Sequence, residues 1–381
     1  MQHRPFGSHD FQVSALGFGA MRLPLRSDDQ ADIDRPQAIR MIRHAIDAGV
    51  DYLDTAWPYH GGASEGLCGE ALRDGYGERV RVATKLPTWL IGDSNPLVAP
   101  FLDEQLQRLG RDHIDVYLLH ALQRPFWEIT ERYELIGQLE DARQAGKIGH
   151  IAFSFHGDLP LFREIVDAYE GWAMAQIQYN WANTTVQAGR AGLEYAAAKG
   201  LAVVVMEPLL GGELVSPPPS VLAALARITP ADQRPVGKAL HWLWDQPGVS
   251  TVLSGMSTMA QLEENLDHAR ASRAGCYGDA DQDHFQAAAE ALVAAYPVRC
   301  TKCRYCLPCP QGVNIPRNFE LYNDKVAFEG RQDQHNNVMY RLMAEHEKAS
   351  ACVQCGECEA RCPQSIEIAT IMPQVAESFG G

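Results

Sequence analysis

Residues 50–56 read VDYLDTA, a short run built on Val50, Tyr52 and Leu53 that closes on the polar pair Asp54 and Thr55. Seven more runs share this form: VSALGFGAM (13–21), RVATK (81–85), IDVYLLH (114–120), KIGHIAFS (147–154), MAQIQYN (174–180), LAVVVMEP (201–208) and VSTVLSG (249–255). Between them lie stretches with helical spacing, such as Ile39, Ile42, Ala45 and Ile46 before a glycine stop at Gly49. Strands that are apolar nearly throughout belong to a parallel sheet covered on both sides. Eight strand-and-helix units, about thirty residues apart, predict a closed (β/α)8 TIM barrel in the α/β class. No G-x-G-x-x-G follows the first strand, so the doubly wound dinucleotide fold loses its usual support.

Chemistry in such barrels gathers at the C-terminal ends of the strands. Here those ends carry Asp54, Lys85, His120, Ser154, Gln176 and Asn180. Taken singly, each has an ordinary explanation as a cap, a solvated end or a rim residue. Taken together, they suit carbonyl reduction. A hydride acceptor needs a proton on its oxygen, and a phenol with a pKa of about 10 is too weak an acid unless a cation lowers it. Lys85 is placed to be that cation and Asp54 to hold it charged. Tyr59 is then the proton donor, and His120 orients the carbonyl oxygen or shares the proton.

The segments DTAWPYHGGASE (54–65), VATK (82–85) and YLLH (117–120) resemble the aldo-keto reductase family, over roughly residues 10 to 295. That resemblance implies an Asp54, Tyr59, Lys85, His120 tetrad and a nicotinamide cofactor bound in an extended pose. Ser154 and Gln176 would hold the carboxamide. Met206 stands where relatives often place an aromatic ring against the nicotinamide. The last strand runs into SGMSTMAQLEENL (254–266), which sets Ser254, Gly255, Met256 and Ser257 before a helix N-terminus that favours a phosphate. Gln261, Glu264 and Asn265 lie in that helix. The alternative for this segment is an ordinary helix capped by Ser257 or Thr258. NADPH-dependent relatives carry Lys or Arg where Gly255 and Gln261 stand here. NADH, NADPH and a flavin therefore all stay open.

Ten cysteines are present, and eight of them lie between Cys300 and Cys362. CTKCRYCLPCP (300–310) places Cys300, Cys303, Cys306 and Cys309 two residues apart, and CVQCGECEARCP (352–363) is C-x-x-C-x-x-C-x-x-x-C-P at Cys352, Cys355, Cys358 and Cys362. Three thiolates of one loop can grip three corners of a cubane while the fourth reaches another. As in two-cluster ferredoxins, Cys300, Cys303, Cys306 and Cys362 would hold one [4Fe-4S] cluster, and Cys352, Cys355, Cys358 and Cys309 a second. A single cluster, zinc sites and disulfides are the alternatives. Between the runs, Phe319, Tyr322, Val326, Val338 and Leu342 have helical spacing. Residues 1–295 are thus expected to form the barrel, and 296–381 a small, mostly helical, ferredoxin-like iron–sulfur domain dependent on its metal. A barrel with such a tail resembles the ferredoxin-domain branch of the aldo-keto reductases. Cys68 and Cys276 are expected to be buried or incidental thiols.

A net charge of −15 offers no basic face for nucleic acid, no apolar run is long enough to span a membrane, and no signal-like segment follows the start, so a cytoplasmic protein is expected. The partners expected are a small carbonyl or alcohol and, through the clusters, a redox protein. Hydride carries two electrons and each cluster takes one, so nicotinamide cannot readily feed a cluster without a carrier such as a flavin. The leading function is NAD(P)H-linked carbonyl–alcohol interconversion, with clusters that are structural or serve an external partner. A barrel-bound flavin is the second function, a Schiff-base lyase using Lys85 the third, and a non-enzymatic electron carrier the fourth. Substrate choice falls to the loops at 86–96, 121–127 and 211–220, where Trp57, Trp89, Phe126 and Trp127 either line an apolar pocket or pack the rim.

Overall fold

The apolar runs become strands because Val, Ile and Leu fill both faces of a covered parallel sheet. In the computed structural model, which describes residues 1–27, 29–230, 233–327 and 333–380, a two-stranded hairpin of β1 (His3–Pro5) and β2 (Gln12–Ser14) comes first. The barrel follows with β3 (Leu16–Gly19), β4 (Tyr52–Asp54), β5 (Arg81–Leu86), β6 (Ile114–Leu122), β7 (Ile148–Phe155), β8 (Met174–Gln178), β9 (Ala202–Met206) and β10 (Val249–Ser254). All eight pair in parallel in chain order, and β10 closes on β3 through Val252 opposite Leu16 and Ser254 opposite Phe18. The expected (β/α)8 barrel is present.

The run at 13–21 splits in two. Gln12 pairs with Pro5 and Ser14 with His3, and only Leu16–Gly19 enters the barrel. The hairpin brings Phe6 and Val13 into one buried cluster with Tyr52, Ala83, Val116, Leu118, Ala152, Met174, Ala202, Val204 and Leu253. It thereby floors the barrel with apolar side chains, leaving the polar strand ends at the opposite mouth.

Packing divides the chain into one unit of residues 1–208 and 240–276 and a second of 209–239 and 277–381. This differs from a split at residue 295. Helix Pro219–Leu225 buries Val221 and Leu225, helix Asp279–Ala295 buries Phe285, Ala288 and Leu292, and the two pack on each other in the second unit. A local composition change cannot reveal such a pairing, since its partners are about sixty residues apart.

The second unit also holds helices Ile315–Ala327, Asp333–Leu342 and Ile368–Ser378. Val298, Val313, Ile315, Phe319, Ile368, Met372 and Val375 make its apolar centre, and six of the cysteines, Cys300, Cys306, Cys309, Cys352, Cys358 and Cys362, pack on or within it. Phe319 is buried there, whereas Val326, Val338 and Leu342 face outward despite their spacing. Among the described residues no helix is long and apolar enough to cross a membrane.

Candidate functional site

Asp54 ends β4 and Lys85 lies near the end of β5, so neighbouring strands bring acid and base side by side. Lys85 is fully buried. Its Nζ donates to both Asp54 carboxylate oxygens at 2.8 Å and to the Thr55 carbonyl at 2.7 Å. Burial pulls the Lys85 ammonium below its ordinary range and the Asp54 carboxyl above its own, and each opposes the shift in the other. The hydroxyl of Tyr59 stands 3.5 Å from Lys85 Nζ, and the ammonium also lies 5.0 Å from the centre of the tyrosine ring.

Tyr59 is placed by a turn in which His60 and Gly61 take left-handed backbone angles, φ 55° and 62°. His60 is tied down on both nitrogens. Nε2 accepts the Leu23 N–H at 3.2 Å, so Nδ1 carries the proton and donates to the Gln30 carbonyl at 2.8 Å; burial lowers its pKa. His60 thus fixes the turn, a role that has no spacing signature.

His120 is buried in β6, its ring 6.1 Å from that of Tyr59 and edge-on to it. Burial first, then Lys85 and His156, hold its pKa well below the usual histidine value, so the ring is neutral near pH 7. Thr88 Oγ1 accepts the His120 backbone N–H at 3.2 Å. Trp89 lies 5.0 Å from the His120 ring, and Phe126 lies 6.2 Å from Trp89. Trp89 thus adjoins the tetrad, with Phe126 behind it. Trp57 instead packs edge-on to Phe101 under the Arg108 guanidinium, and Trp127 is wholly buried.

Beneath Lys85 lies a second buried acid. Glu65 accepts from Thr84 Oγ1 and Gln105 Nε2, both at 2.6 Å, and from Arg108 at 3.1 Å, while Gln105 also donates to the Lys85 carbonyl. The network braces the strand behind the ammonium.

Of the residues expected to meet a nicotinamide, Ser154 Oγ accepts the Ala121 N–H at 2.7 Å, and Gln176 Nε2 points at Met206 Sδ, 3.8 Å away. Gln176 Oε1 is buried and has no hydrogen-bond partner among the described residues. A carboxamide N–H suits such an acceptor, so the donor set fits the cofactor. Asn180 is spent on the Glu207 carbonyl at 2.9 Å.

Beyond β10, Thr258 caps helix Met259–Arg270 by accepting from Gln261 N–H. The Gln261 side chain turns back to accept from Ser257 N–H at 2.8 Å, and Asn265 donates to Ser254 Oγ at 2.8 Å. Glu264 lies half-buried in the same helix, and Met256 is buried. Gly255 is exposed with Arg22 alongside: a Cβ there would meet Arg22 Cβ and Cγ at 3.1 Å, and Ser257 Oγ donates to the Arg22 carbonyl. A basic residue therefore does border this segment. It comes from the turn Ala20–Arg22 after β3, far in sequence from residues 254–266.

In the second unit, Cys309, Cys352, Cys355 and Cys358 line one cavity of about 350 Å³, its open mouth included. The Cys358 thiol is pushed up to about 11, mainly by burial, with Cys352, Glu359 and Cys309 nearby. Cys300 is pushed up to about 12, again by burial, with Cys303 and Cys362 beside it. Cys306 is raised by burial and then by Cys303, Cys300, Cys362 and Cys358. Cys309 thus shares a pocket with Cys352, Cys355 and Cys358 of the other run, and Cys362 lies near Cys300 and Cys306 of the first. Among the described residues no group of three His, Cys, Asp or Glu side chains is set to hold a single metal ion. Cys68 is buried in helix Ser64–Ala71, and Cys276 is half-buried.

The two loops share a design. Lys302 and Gln354, each two residues after the first cysteine of its run, take left-handed backbone angles (φ 56° for both) and turn their N–H groups toward Cys300 and Cys352.

An eight-stranded barrel with a buried Asp–Lys pair against a tyrosine hydroxyl at the strand ends defines an oxidoreductase of the aldo-keto type. The model of the aldo/keto reductase family matches residues 15–272, and the chain belongs to that family. A 4Fe-4S dicluster domain matches residues 299–367. The chain is 29% identical to L-galactose dehydrogenase of Arabidopsis thaliana over 69% of its own length and 86% of the relative's. It is 28% identical to 6-dehydroglucose reductase of Novosphingobium aromaticivorans over 69% and 89%. Among solved structures, the holo form of an aldo-keto reductase from Bacillus halodurans superposes with a TM-score of 0.61 at 24% identity, covering 76% of this chain and 96% of that one. An aldo/keto reductase from Klebsiella pneumoniae in complex with NADP and acetate gives 0.58 at 24%, covering 74% and 95%. These two likenesses establish the fold.

Proposed function

We propose that the barrel interconverts a carbonyl and an alcohol with a nicotinamide cofactor, Tyr59 passing the proton. The observation that carries this is the placement of Lys85, bound to both oxygens of Asp54 and 3.5 Å from the Tyr59 hydroxyl. The nicotinamide, when bound, supplies or takes the hydride at the carbonyl carbon. Tyr59 gives its proton to the carbonyl oxygen in reduction and recovers it in oxidation, and the Lys85 charge eases loss of that proton. His120 is neutral and orients the oxygen rather than charging it. Gln176 Oε1 and Ser154 would fix the carboxamide, and Arg22 favours a phosphate near Gly255. The Klebsiella pneumoniae neighbour carries NADP, which makes NADPH the first cofactor to try.

A Schiff-base role for Lys85 is disfavoured, because Asp54 and Thr55 already engage its three N–H donors. In the second unit the dicluster match and the pocket that Cys309 shares with Cys352, Cys355 and Cys358 support two [4Fe-4S] clusters, one on Cys300, Cys303, Cys306 and Cys362 and one on Cys309, Cys352, Cys355 and Cys358. Exposed Cys355 and Val353 give the second group a face toward a redox partner. The deciding experiment is Tyr59→Phe: loss of carbonyl reduction with NADPH binding retained supports this function, and a variant that still reduces carbonyls removes Tyr59 from it.

A further inference from the structure

Lys302 belongs to the first cysteine loop, yet its side chain leaves that loop. Nζ sits 3.1 Å from Glu213 and 2.8 Å from Glu320, with the Glu213 side chain largely covered. Glu213 lies in the segment that continues from Met206 and Pro208 after β9. Tyr296, just before the cysteine loop, also neighbours Glu213: burial first, then the charges of Glu213 and Asp324 and a hydrogen bond with Glu213, raise the pKa of its phenol.

The backbones meet as well. Gly211, at φ +68°, packs so closely on the neighbouring loop that a Cβ would stand 2.3 Å from the Thr301 carbonyl oxygen. Only glycine tolerates both the angle and the approach. Gly211 and Glu213 are thus held by Tyr296, Thr301 and Lys302, residues that flank and follow Cys300. The matching residue of the second loop, Gln354, spends its side chain on the Ala369 carbonyl at 3.0 Å, inside the tail. Of these two equivalent positions, Lys302 is the one that reaches the segment after β9.

One residue therefore serves two ends. The Lys302 amide faces the Cys300 thiol, a geometry that depends on how that loop is folded around its metal, while its ammonium fixes Glu213. We propose that metal assembly at Cys300–Cys306 orders residues 209–215, making the C-terminal module a clamp on the loop that continues from strand β9. This clamping requires no electron to pass between nicotinamide and cluster, which removes the two-to-one electron mismatch from the module's purpose. It follows from the second unit alone and does not depend on the catalytic role of Tyr59.

Hydrogen exchange on the full chain tests it. Anaerobically purified protein is compared with protein stripped of iron by chelator and oxidant, and with Glu213→Ala. On stripping, peptides covering 209–215 should exchange at least tenfold faster while β5 and β6 keep their protection. Glu213→Ala should loosen the same peptides with the visible iron–sulfur absorption and the protection of 300–306 intact. Protection of 209–215 that survives iron removal, or that ignores Glu213→Ala, overturns the clamp.

Discussion

Asp54 holds Lys85 through both carboxylate oxygens at 2.8 Å in a site closed to solvent. A buried pair of this kind contributes little net stability, but breaking it strands a charge. Lys85→Met should therefore lower stability by about 3–5 kcal/mol, and the double variant Asp54→Leu with Lys85→Met should recover much of that loss. Denaturant unfolding followed by far-ultraviolet circular dichroism reads the difference. A double variant less stable than both single ones would contradict the pairing.

Protons should weaken the barrel in a defined window. His156 is held down to about 4, mainly by burial, against an unfolded value of about 6.5. The unfolded chain thus takes up the proton first as pH falls below about 6.5, and stability declines until the folded ring also protonates near 4. His120 shifts in the same direction. The melting temperature should drop on moving from pH 7 to pH 5. His156→Leu should flatten that drop, by at most about 1.4 kcal/mol per pH unit.

Arg22 borders the segment after β10, where residues 254–266 contain no Lys or Arg. If the proposed cofactor is NADPH, Arg22→Ala should raise its KM roughly tenfold, corresponding to about 1.4 kcal/mol of lost charge-assisted contact, and affect NADH less. Steady-state kinetics with both cofactors decides this; equal effects on the two would place Arg22 away from the extra phosphate.

The proposed crossed ligand sets carry a stoichiometric expectation. Cys309→Ser should impair the group it shares with Cys352, Cys355 and Cys358, leaving about half of the iron and an intact signal from the other cluster. Iron analysis with electron paramagnetic resonance after reduction measures it. Loss confined to the Cys300 group would reverse the assignment.

Much of this was legible in the sequence, and the reasons are local. β8 and β9 announce themselves through runs such as Val203, Val204 and Val205, and parallel pairing turns consecutive strand ends into a ring of polar groups. Asp54, Tyr59, Lys85 and His120 come together because each is fixed to its own strand end or to the turn beyond it. What stayed hidden was long-range. The flooring by Phe6, the tie of His60 to Leu23 and Gln30, the approach of Arg22 to Gly255 and the grip of Lys302 on Glu213 all join residues whose spacing carries no period. Val338 and Leu342 show the reverse failure: helical spacing marks a face, but only tertiary packing decides whether anything covers it.

The second unit is written into the chain in two pieces, 209–239 and 277–381, with β10 between them. It therefore offers no clean point of excision. A graft onto another barrel that took only the cysteine-bearing end would arrive without Val221 and Leu225, and the host would lack Gly211 and Glu213. Shortening the protein before residue 279 would expose those same two apolar side chains on what remained. During synthesis, moreover, the ribosome releases 209–239 long before Phe285, Ala288 and Leu292 exist to cover it. The nascent barrel must carry that uncovered stretch until helix Asp279–Ala295 emerges, so the module is completed only after the last barrel strand has been made.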